Sequence, residues 1–209
     1  MILILLALSL GGFVYFYEIQ GKTQREEVEE KNKQIFSFTA DDVQALTITT
    51  NNTTISLERN SNNDDQATKW LLKSPELAPA SNASVSYLMD LLVDGKTNRT
   101  LSALANQISE YGLDKPQATI EVKLKNQKSH QLVLGKQDFN QRFIYARADS
   151  ITKPDGNIDI LLLSTDFLNG VNRDLSEWKQ SSENKLNQAN PNTPQSTPLP
   201  IPTFAPSPP

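Results

Sequence analysis

The chain contains no cysteine and only one histidine, His130, among its 209 residues. The absence of cysteine excludes disulfides, thiol nucleophiles and thiolate metal ligands. A metal site that used His130 would need carboxylates as all of its other ligands, and no catalytic triad is visible around this histidine. We therefore expect no catalytic, cofactor-binding or metal-binding residues, and we expect His130 to be an ordinary surface or edge residue of a strand.

An excess of basic residues is missing as well. The chain has 20 Lys and Arg against 24 Asp and Glu, which gives a formal net charge of −4 at pH 7. A nucleic-acid-binding domain presents a basic face to the phosphate backbone. We therefore expect no nucleic acid among the partners of this protein.

Motifs that bind phosphate or calcium are also lacking. Gly135-Lys136 has neither the upstream glycine spacing nor the following Ser or Thr of a phosphate loop. Asp64-Asp65 lacks the spacing of a calcium loop, and Asp41-Asp42 is expected to cap or precede a strand. The two tryptophans, Trp70 and Trp178, are expected to belong to the core or to cover it.

The first 17 residues contain no charged side chain. A helix of this length spans roughly 26 Å, which just reaches across a hydrocarbon core of about 30 Å. The aromatic residues 15–17 follow where rings prefer to meet the lipid headgroups. We predict that residues 1–17 are a single-pass transmembrane anchor. The alternative is a secretory signal that is cleaved near Ala7-Leu8-Ser9.

The charges beside this segment leave its orientation open. Lys and Arg follow residue 17 and none precedes it, so the positive-inside rule places the domain in the cytoplasm. Long domains nevertheless translocate largely regardless of such charges. Both orientations therefore remain at this point.

Two polar segments flank the rest of the chain. Residues 18–34 carry no apolar stripe, and Glu27 with Lys31 has the i,i+4 spacing that supports a helix, so we predict a charged helical stalk. Residues 180–209 interleave Pro with Asn, Gln, Ser and Thr, a composition that predicts a disordered tail with polyproline II character.

Residues 35–179 are expected to form one globular domain, because their apolar side chains mostly alternate with polar ones at the period of a β-strand. In the first half, about 36–100, the pattern predicts a hairpin over 43–59 that turns at Asn51-Asn52. A third strand is predicted over 69–73.

A helix is predicted after these strands. Ser81 or Asn82 caps its beginning, and Gly95 ends it in a left-handed conformation. One face at helical spacing is expected to cover the sheet, and it consists of Val85, Leu88, Met89 and Leu92.

The second half, about 101–179, repeats this plan. A short helix over 104–111 is expected to end at Gly112, and a closing helix is expected to start at Ser164 or Thr165. Strands are predicted over 118–124, over 128–134 before a break at Gly135-Lys136, over 142–147, and over 158–163 as a nearly all-apolar central strand. The predicted fold class is α+β: an N-terminal transmembrane helix, an antiparallel β-rich domain of two related β-β-β-α-like units, and a disordered Pro-rich tail.

Several short runs resemble one known family. They are Tyr111-Gly112-Leu113-Asp114-Lys115-Pro116, Ala118-Thr119-Ile120, Leu134-Gly135-Lys136 and Tyr145-Ala146-Arg147. These runs resemble the bacterial membrane-anchored family called domain of unknown function 4340, and the chain from the anchor to Trp178 looks like a cyanobacterial-type member. The resemblance implies no reaction and no catalytic residue. It implies an accessory protein of an ABC transporter of the gliding-motility type, with its domain outside the cytoplasmic membrane.

We therefore expect a membrane-tethered, non-enzymatic accessory or scaffold protein of the cell envelope, with the lipid bilayer and a transporter-type membrane protein as partners. The alternative is an extracytoplasmic module that binds a small molecule or a glycan, with or without weak hydrolase activity from Asp and Glu. A scaffold should show an exposed sheet edge or apolar patch. An enzyme should show carboxylates that converge in a cleft.

Overall fold

The computed structural model describes residues 33–60, 69–153 and 155–181. The predicted anchor, all but the last two residues of the stalk, most of the tail and Asp64-Asp65 lie outside these ranges. No helix within the ranges is long and apolar enough to cross a membrane.

All strands of the described residues join one antiparallel sheet. They are β1 (Val43–Thr50), β2 (Thr54–Arg59), β3 (Trp70–Ser74), β4 (Ala78–Pro79), β5 (Arg99–Leu104), β6 (Ala118–Leu124), β7 (Ser129–Gln137), β8 (Phe143–Ala148) and β9 (Asn157–Ser164). Their order across the sheet is β4-β3-β2-β1-β6-β7-β8-β9-β5. The predicted α+β class is confirmed.

The strands of the first half follow the predicted pattern. β1 and β2 form the expected hairpin, in which the Thr50 N–H donates to the Thr53 carbonyl at 2.9 Å and closes the turn at Asn51-Asn52. β3 pairs with β2 as the third strand. Alternating side chains of these strands, such as Ile48, are fully buried on one face of the sheet.

Three α-helices of the described residues cover that face: α1 (Asn82–Val93), α2 (Asp166–Val171) and α3 (Leu175–Trp178). Ser81 is the N-cap of α1, as predicted, and its hydroxyl oxygen accepts the Ser84 N–H at 3.3 Å. The predicted stripe on α1 is buried, and so are Trp70 and Trp178. These residues share one hydrophobic core with the strands.

The prediction for Gly95 was wrong. α1 ends at Asp94 in a right-handed conformation, and Gly95 does not have a positive φ. A Cβ at Gly95 would collide with the carbonyl oxygen of Leu91. Close packing therefore requires glycine here, whereas a left-handed turn does not.

The strands of the second half lie close to their predicted bounds, with two corrections. β7 continues through Gly135-Lys136 to Gln137, so the predicted break is an irregularity in the pairing with β8 and not the end of the strand. β9 is the neighbour of an edge strand and not a central strand. It is almost wholly apolar because Leu163 enters the main core while Ile160 enters a second cluster on the opposite face.

The two halves share the sheet. β1 of the first half pairs with β6 of the second, and β5 crosses to the far edge and pairs with β9. The expected division near residue 100 therefore falls inside β5. The sheet is continuous across both predicted units.

The two faces of the sheet differ. We call the face covered by the α-helices the helix face and the opposite one the open face. The 3₁₀ segment Ala105–Tyr111 and the residues up to 117 lead from β5 to β6, and Leu113, Ile108 and Tyr111 contribute to the second cluster on the open face. The remaining open face over β1 and β6 carries polar side chains such as Thr47 and Glu121.

Candidate functional site

The residues that carry the family resemblance meet at one place on the open face. Gly112 ends the 3₁₀ segment with φ 69°, as predicted, and a Cβ there would lie 2.9 Å from the Lys136 nitrogen. A Cβ at Gly135 would collide with the carbonyl oxygen of Tyr111. The rings of Tyr111 and Tyr145 meet edge to face with centroids 5.1 Å apart. Three separate sequence runs therefore form one close-packed junction.

Hydrogen bonds complete this junction. The Gln117 side-chain amide donates to the Gly135 carbonyl at 2.7 Å, and the Gln117 N–H donates to the Leu134 carbonyl at 2.8 Å. Leu113 is buried in the second cluster beneath the segment. These contacts fix the path of the chain from β5 to β6, so packing accounts for the glycines, the tyrosines and Leu113 of these runs.

A cavity of about 740 Å³ lies over β1, β6 and β7. It is lined by Ala45, Thr47, Glu121, Val122, Lys123, Ser129, His130, Gln131, Asp149 and Ser150. Its charged and hydroxyl groups make it the strongest candidate for a ligand site among the described residues.

Two of the lining residues, His130 and Asp149, form a short polar contact with each other. The His130 Nδ1 lies 2.8 Å from the Asp149 Oδ2, and a carboxylate acceptor requires the proton on Nδ1. The other Asp149 carboxylate oxygen accepts the Gln131 N–H at 2.9 Å. Asp149 and Ser150 have positive φ values of 51° and 35°. Two such residues in succession form a sharp turn that directs the carboxylate back to β7.

The ring of His130 belongs to the helix face. His130 pairs with the buried Val122 across the sheet, and its ring lies 5.4 Å from each of the Phe36 and Phe38 rings. Glu121 pairs with Gln131 one position along and therefore points to the open face. The imidazole and the Glu121 carboxylate thus lie on opposite faces and do not converge.

The structure corrects the expected surface or edge position of His130. β7 lies between β6 and β8, so it is not an edge strand, and the His130 side chain is 25% exposed. Sequence reasoning missed its partner, because residues 130 and 149 are joined only by the register of β7 with β8. The local sequence around Asp149 carries no signal of that contact.

The described residues do not complete a catalytic centre around this pair. A carboxylate-oriented imidazole needs a nucleophile at its other nitrogen. The Ser150 hydroxyl instead donates to the Gln131 side-chain oxygen at 3.2 Å, and strand alternation places Ser129 on the face opposite the His130 ring. No group of three His, Asp or Glu within the described ranges has the arrangement of a metal site.

The shifted pKa values occur in exposed turns outside the cavity. A hydrogen bond from Lys153 to Asp159, at 2.7 Å, raises the pKa of Lys153. The backbone and side chain of Asn157 lower the pKa of Asp155. Hydrogen bonds from Thr39 lower the pKa of Asp42, which caps the turn before β1 as the sequence suggested for this acidic pair. All of these hydrogen bonds stabilise turns.

The comparisons with known proteins give one family. Neither the curated proteins nor the solved structures contain a match to this chain. The family model described as "Domain of unknown function (DUF4340)" matches residues 70–190, which run from β3 beyond α3 and include every part of the junction. The match covers more than half of the chain, and the chain belongs to the DUF4340 family.

Proposed function

We propose that this protein is a membrane-tethered, non-enzymatic accessory protein of the cell envelope. The uncharged run of residues 1–17 supports the tether, and the family resemblance supports a domain outside the cytoplasm. The partner in this proposal is a membrane protein of the transporter type. In this proposal the domain acts by contact with that partner.

The observation that carries the proposal is the way in which the upstream chain joins the domain. We call residues 33–42 the strap. The Thr97 N–H donates to the Lys33 carbonyl at 2.7 Å, and the Ile35 N–H donates to the Gly95 carbonyl at 3.2 Å. Phe36 and Phe38 are then buried in the main core, stacked with centroids 5.3 Å apart.

The far end of the strap is also fixed. The Arg59 guanidinium donates to the Ala40 carbonyl at 2.7 Å and to the Val43 carbonyl at 2.9 Å. The connection between the predicted stalk and the domain is therefore part of the core. The strap therefore fixes the place at which the chain enters the domain, and a fixed point of entry suits a protein that presents a surface to a neighbour in the membrane.

Topology and partner binding test this proposal together. Protease added to intact spheroplasts should digest the domain, and co-purification from native membranes after cross-linking should enrich an integral membrane protein. Deletion of residues 1–17 should abolish this enrichment, whereas His130→Ala should retain it. Complete protection from protease in spheroplasts, or enrichment that persists without residues 1–17, would contradict the proposal.

The cavity favours a second candidate, a module that binds a small molecule or a glycan. Glu121, Lys123 and Gln131 present a carboxylate, an ammonium and an amide to the same space, and such groups bind sugar hydroxyls. Soluble peptidoglycan fragments are suitable probes, with binding measured by calorimetry on the full chain. Binding that is lost with Glu121→Gln and retained with Glu58→Gln, on a different strand, would favour this candidate over the accessory role.

A further inference from the structure

The two edges of the sheet differ in how well they are protected from pairing with another strand. At one edge, β4 has two residues, one of which is Pro79, and the Gln180 N–H covers it by donating to the Pro79 carbonyl at 3.0 Å. At the other edge, β5 is a regular strand of 6 residues without proline or bulge, and its one charged residue is Arg99 at its beginning. Proteins ordinarily protect such edges with those devices, because an open edge pairs with other strands.

The direction of the backbone groups on β5 follows from its pairing with β9. The Ala105 N–H donates to the Gly156 carbonyl in the register of this pair. Hydrogen-bonded positions alternate in antiparallel pairs, so Leu101 and Ala103 bond to β9 while Thr100 and Ser102 direct their N–H and C=O groups outward. The Leu104 N–H also points outward, and the Gln107 side chain caps it at 3.1 Å.

The middle of this edge is open in the described part of the chain. Thr100 and Ser102 are exposed, and their outward backbone groups have no partner among residues 33–60, 69–153 and 155–181. The capped Leu104 N–H limits the accessible template to residues 99–103. An extended strand that pairs here needs donors and acceptors at alternate positions.

We propose that the occupant of this edge is β5 of a second copy of the chain, paired antiparallel about a two-fold axis through Leu101. In this register Thr100 of each copy exchanges both backbone hydrogen bonds with Ser102 of the other, and the capped Leu104 is left undisturbed. Leu101 faces its own counterpart, and Arg99 faces Ala103. The arrangement brings no like charges together and joins the two sheets into one.

The symmetry of this pair also fits two chains tethered in one bilayer. A two-fold axis perpendicular to the sheet leaves the helix faces of both copies on the same side. The strap, through which the upstream chain enters, packs on that face and reaches the sheet next to Thr97, just before β5 begins. The beginning of the strap therefore lies on the same side of the dimer in both copies.

The proposed tether raises the local concentration of the chains, and the pairing of the two β5 strands depends on this. One pair of edge strands contributes few side chains, whereas stable interfaces bury roughly 1,200–2,000 Å². We therefore expect the dimer to be weak in dilute detergent and populated in vesicles, where two tethered chains meet at high effective concentration. The proposal thus rests on the proposed function, and the experiment below separates the two.

Cysteine cross-linking tests the register, since the chain has no cysteine of its own. Full-length Leu101→Cys in phosphatidylcholine–phosphatidylglycerol vesicles should form a disulfide-linked dimer on mild oxidation. The two Cα atoms at a non-hydrogen-bonded pair lie about 4.5 Å apart, within the range that a disulfide bridges. Ser102→Cys is the matched control, because in this register its two copies lie farther apart than the roughly 7 Å that a disulfide allows.

A second variant tests the hydrogen bonds themselves. Ser102→Pro in the Leu101→Cys background removes an outward N–H without removing a bond to β9, so the cross-link should be lost while thermal unfolding shows an intact domain. Leu77→Cys, at a residue that is 73% exposed beside β4 on the opposite edge of the sheet, measures random collision. Flotation of the vesicles reports the tether separately from the edge.

The outcomes are distinct. A chain that floats with the vesicles and cross-links through Leu101→Cys at least tenfold more than through Ser102→Cys or Leu77→Cys supports the proposal. A chain that floats with equal cross-linking at all three positions overturns it, as does a folded Leu101→Cys variant that stays monomeric because the protein's own upstream segment covers β5. A chain that fails to float overturns the tether. In that case a Leu101→Cys dimer that forms in concentrated solution supports the edge pairing, and a monomer there overturns it.

Discussion

Truncation of a strap phenylalanine gives the sharpest test of the fold, because the chain offers a matched control. Phe36 is 5% exposed and stacks on Phe38, whereas Phe139 in the turn between β7 and β8 is 99% exposed. Truncation of a buried phenylalanine to alanine costs about 3–5 kcal/mol of folding free energy. Roughly 0.5–1.5 kcal/mol of this cost comes from the loss of the aromatic pair. A surface truncation costs at most about 0.5 kcal/mol.

Because a domain of this kind is stable by only about 5–15 kcal/mol, Phe36→Ala should remove a large part of its stability. Urea unfolding of the full chain in detergent measures this difference, and Trp70 and Trp178 report it by fluorescence because both belong to the main core. Phe139→Ala should leave the midpoint almost unchanged. Equal midpoints for Phe36→Ala and Phe139→Ala would refute the conclusion that the strap is part of the core.

The remaining predictions concern single positions. Gly135→Ala should destabilise the domain by about 3 kcal/mol, because the added Cβ collides with backbone. Gly156→Ala should cost only about 1 kcal/mol, because this glycine has φ 81° but lies in open space. Comparable shifts of the thermal unfolding midpoint for the two variants would contradict the close packing of the junction. Ile120→Asp should cost about 3–5 kcal/mol through an unpaired buried charge, and Glu121→Lys on the other face almost nothing; a similar loss for both would show that the strand is misassigned. The lowered pKa of Asp42 means that its stabilisation is fully present above its unfolded value of 3.8 and is lost as the pH falls through the lower folded value. Asp42→Asn should therefore lose less stability between about pH 7 and about pH 3 than the wild type does, and an unchanged acid dependence would count against this cap.

The hairpins could be predicted because their signals are local. Alternation over 43–59 and 118–124, together with the turn at Asn51-Asn52, specifies which side chains face the core without reference to distant residues. The helix stripe on α1 is local in the same sense. These elements are found in the structure close to their predicted bounds.

The errors have a non-local cause. Gly95 and Gly135 resemble helix and strand terminators in the sequence, but in the structure each is required because backbone from another turn or segment packs against it. The apolar run of β9 suggests a central strand, yet it arises from burial between the main core and the cluster under Leu113. Local patterns do not reveal which surface a strand will meet.

The same reasoning applies to the candidate site. The contact of His130 with Asp149, and its position against Phe36, depend on strand register and on the path of the strap. β5 was not predicted, because its alternation is short and follows a loop. The cavity and the open edge both depend on the order of the strands in the sheet, which no local pattern of the sequence specifies.

The crossover of β5 to β9 has a consequence for folding during synthesis on the ribosome. Chains leave the ribosome from the N-terminus, so β1 and β5 emerge while β6 and β9, their neighbours in the finished sheet, have yet to be translated. Pairings between strands so distant in sequence form slowly. The sheet is complete only once Ser164 has been translated. A nascent chain of this topology therefore holds β1 and β5 without these neighbours until the second half of the domain has been translated.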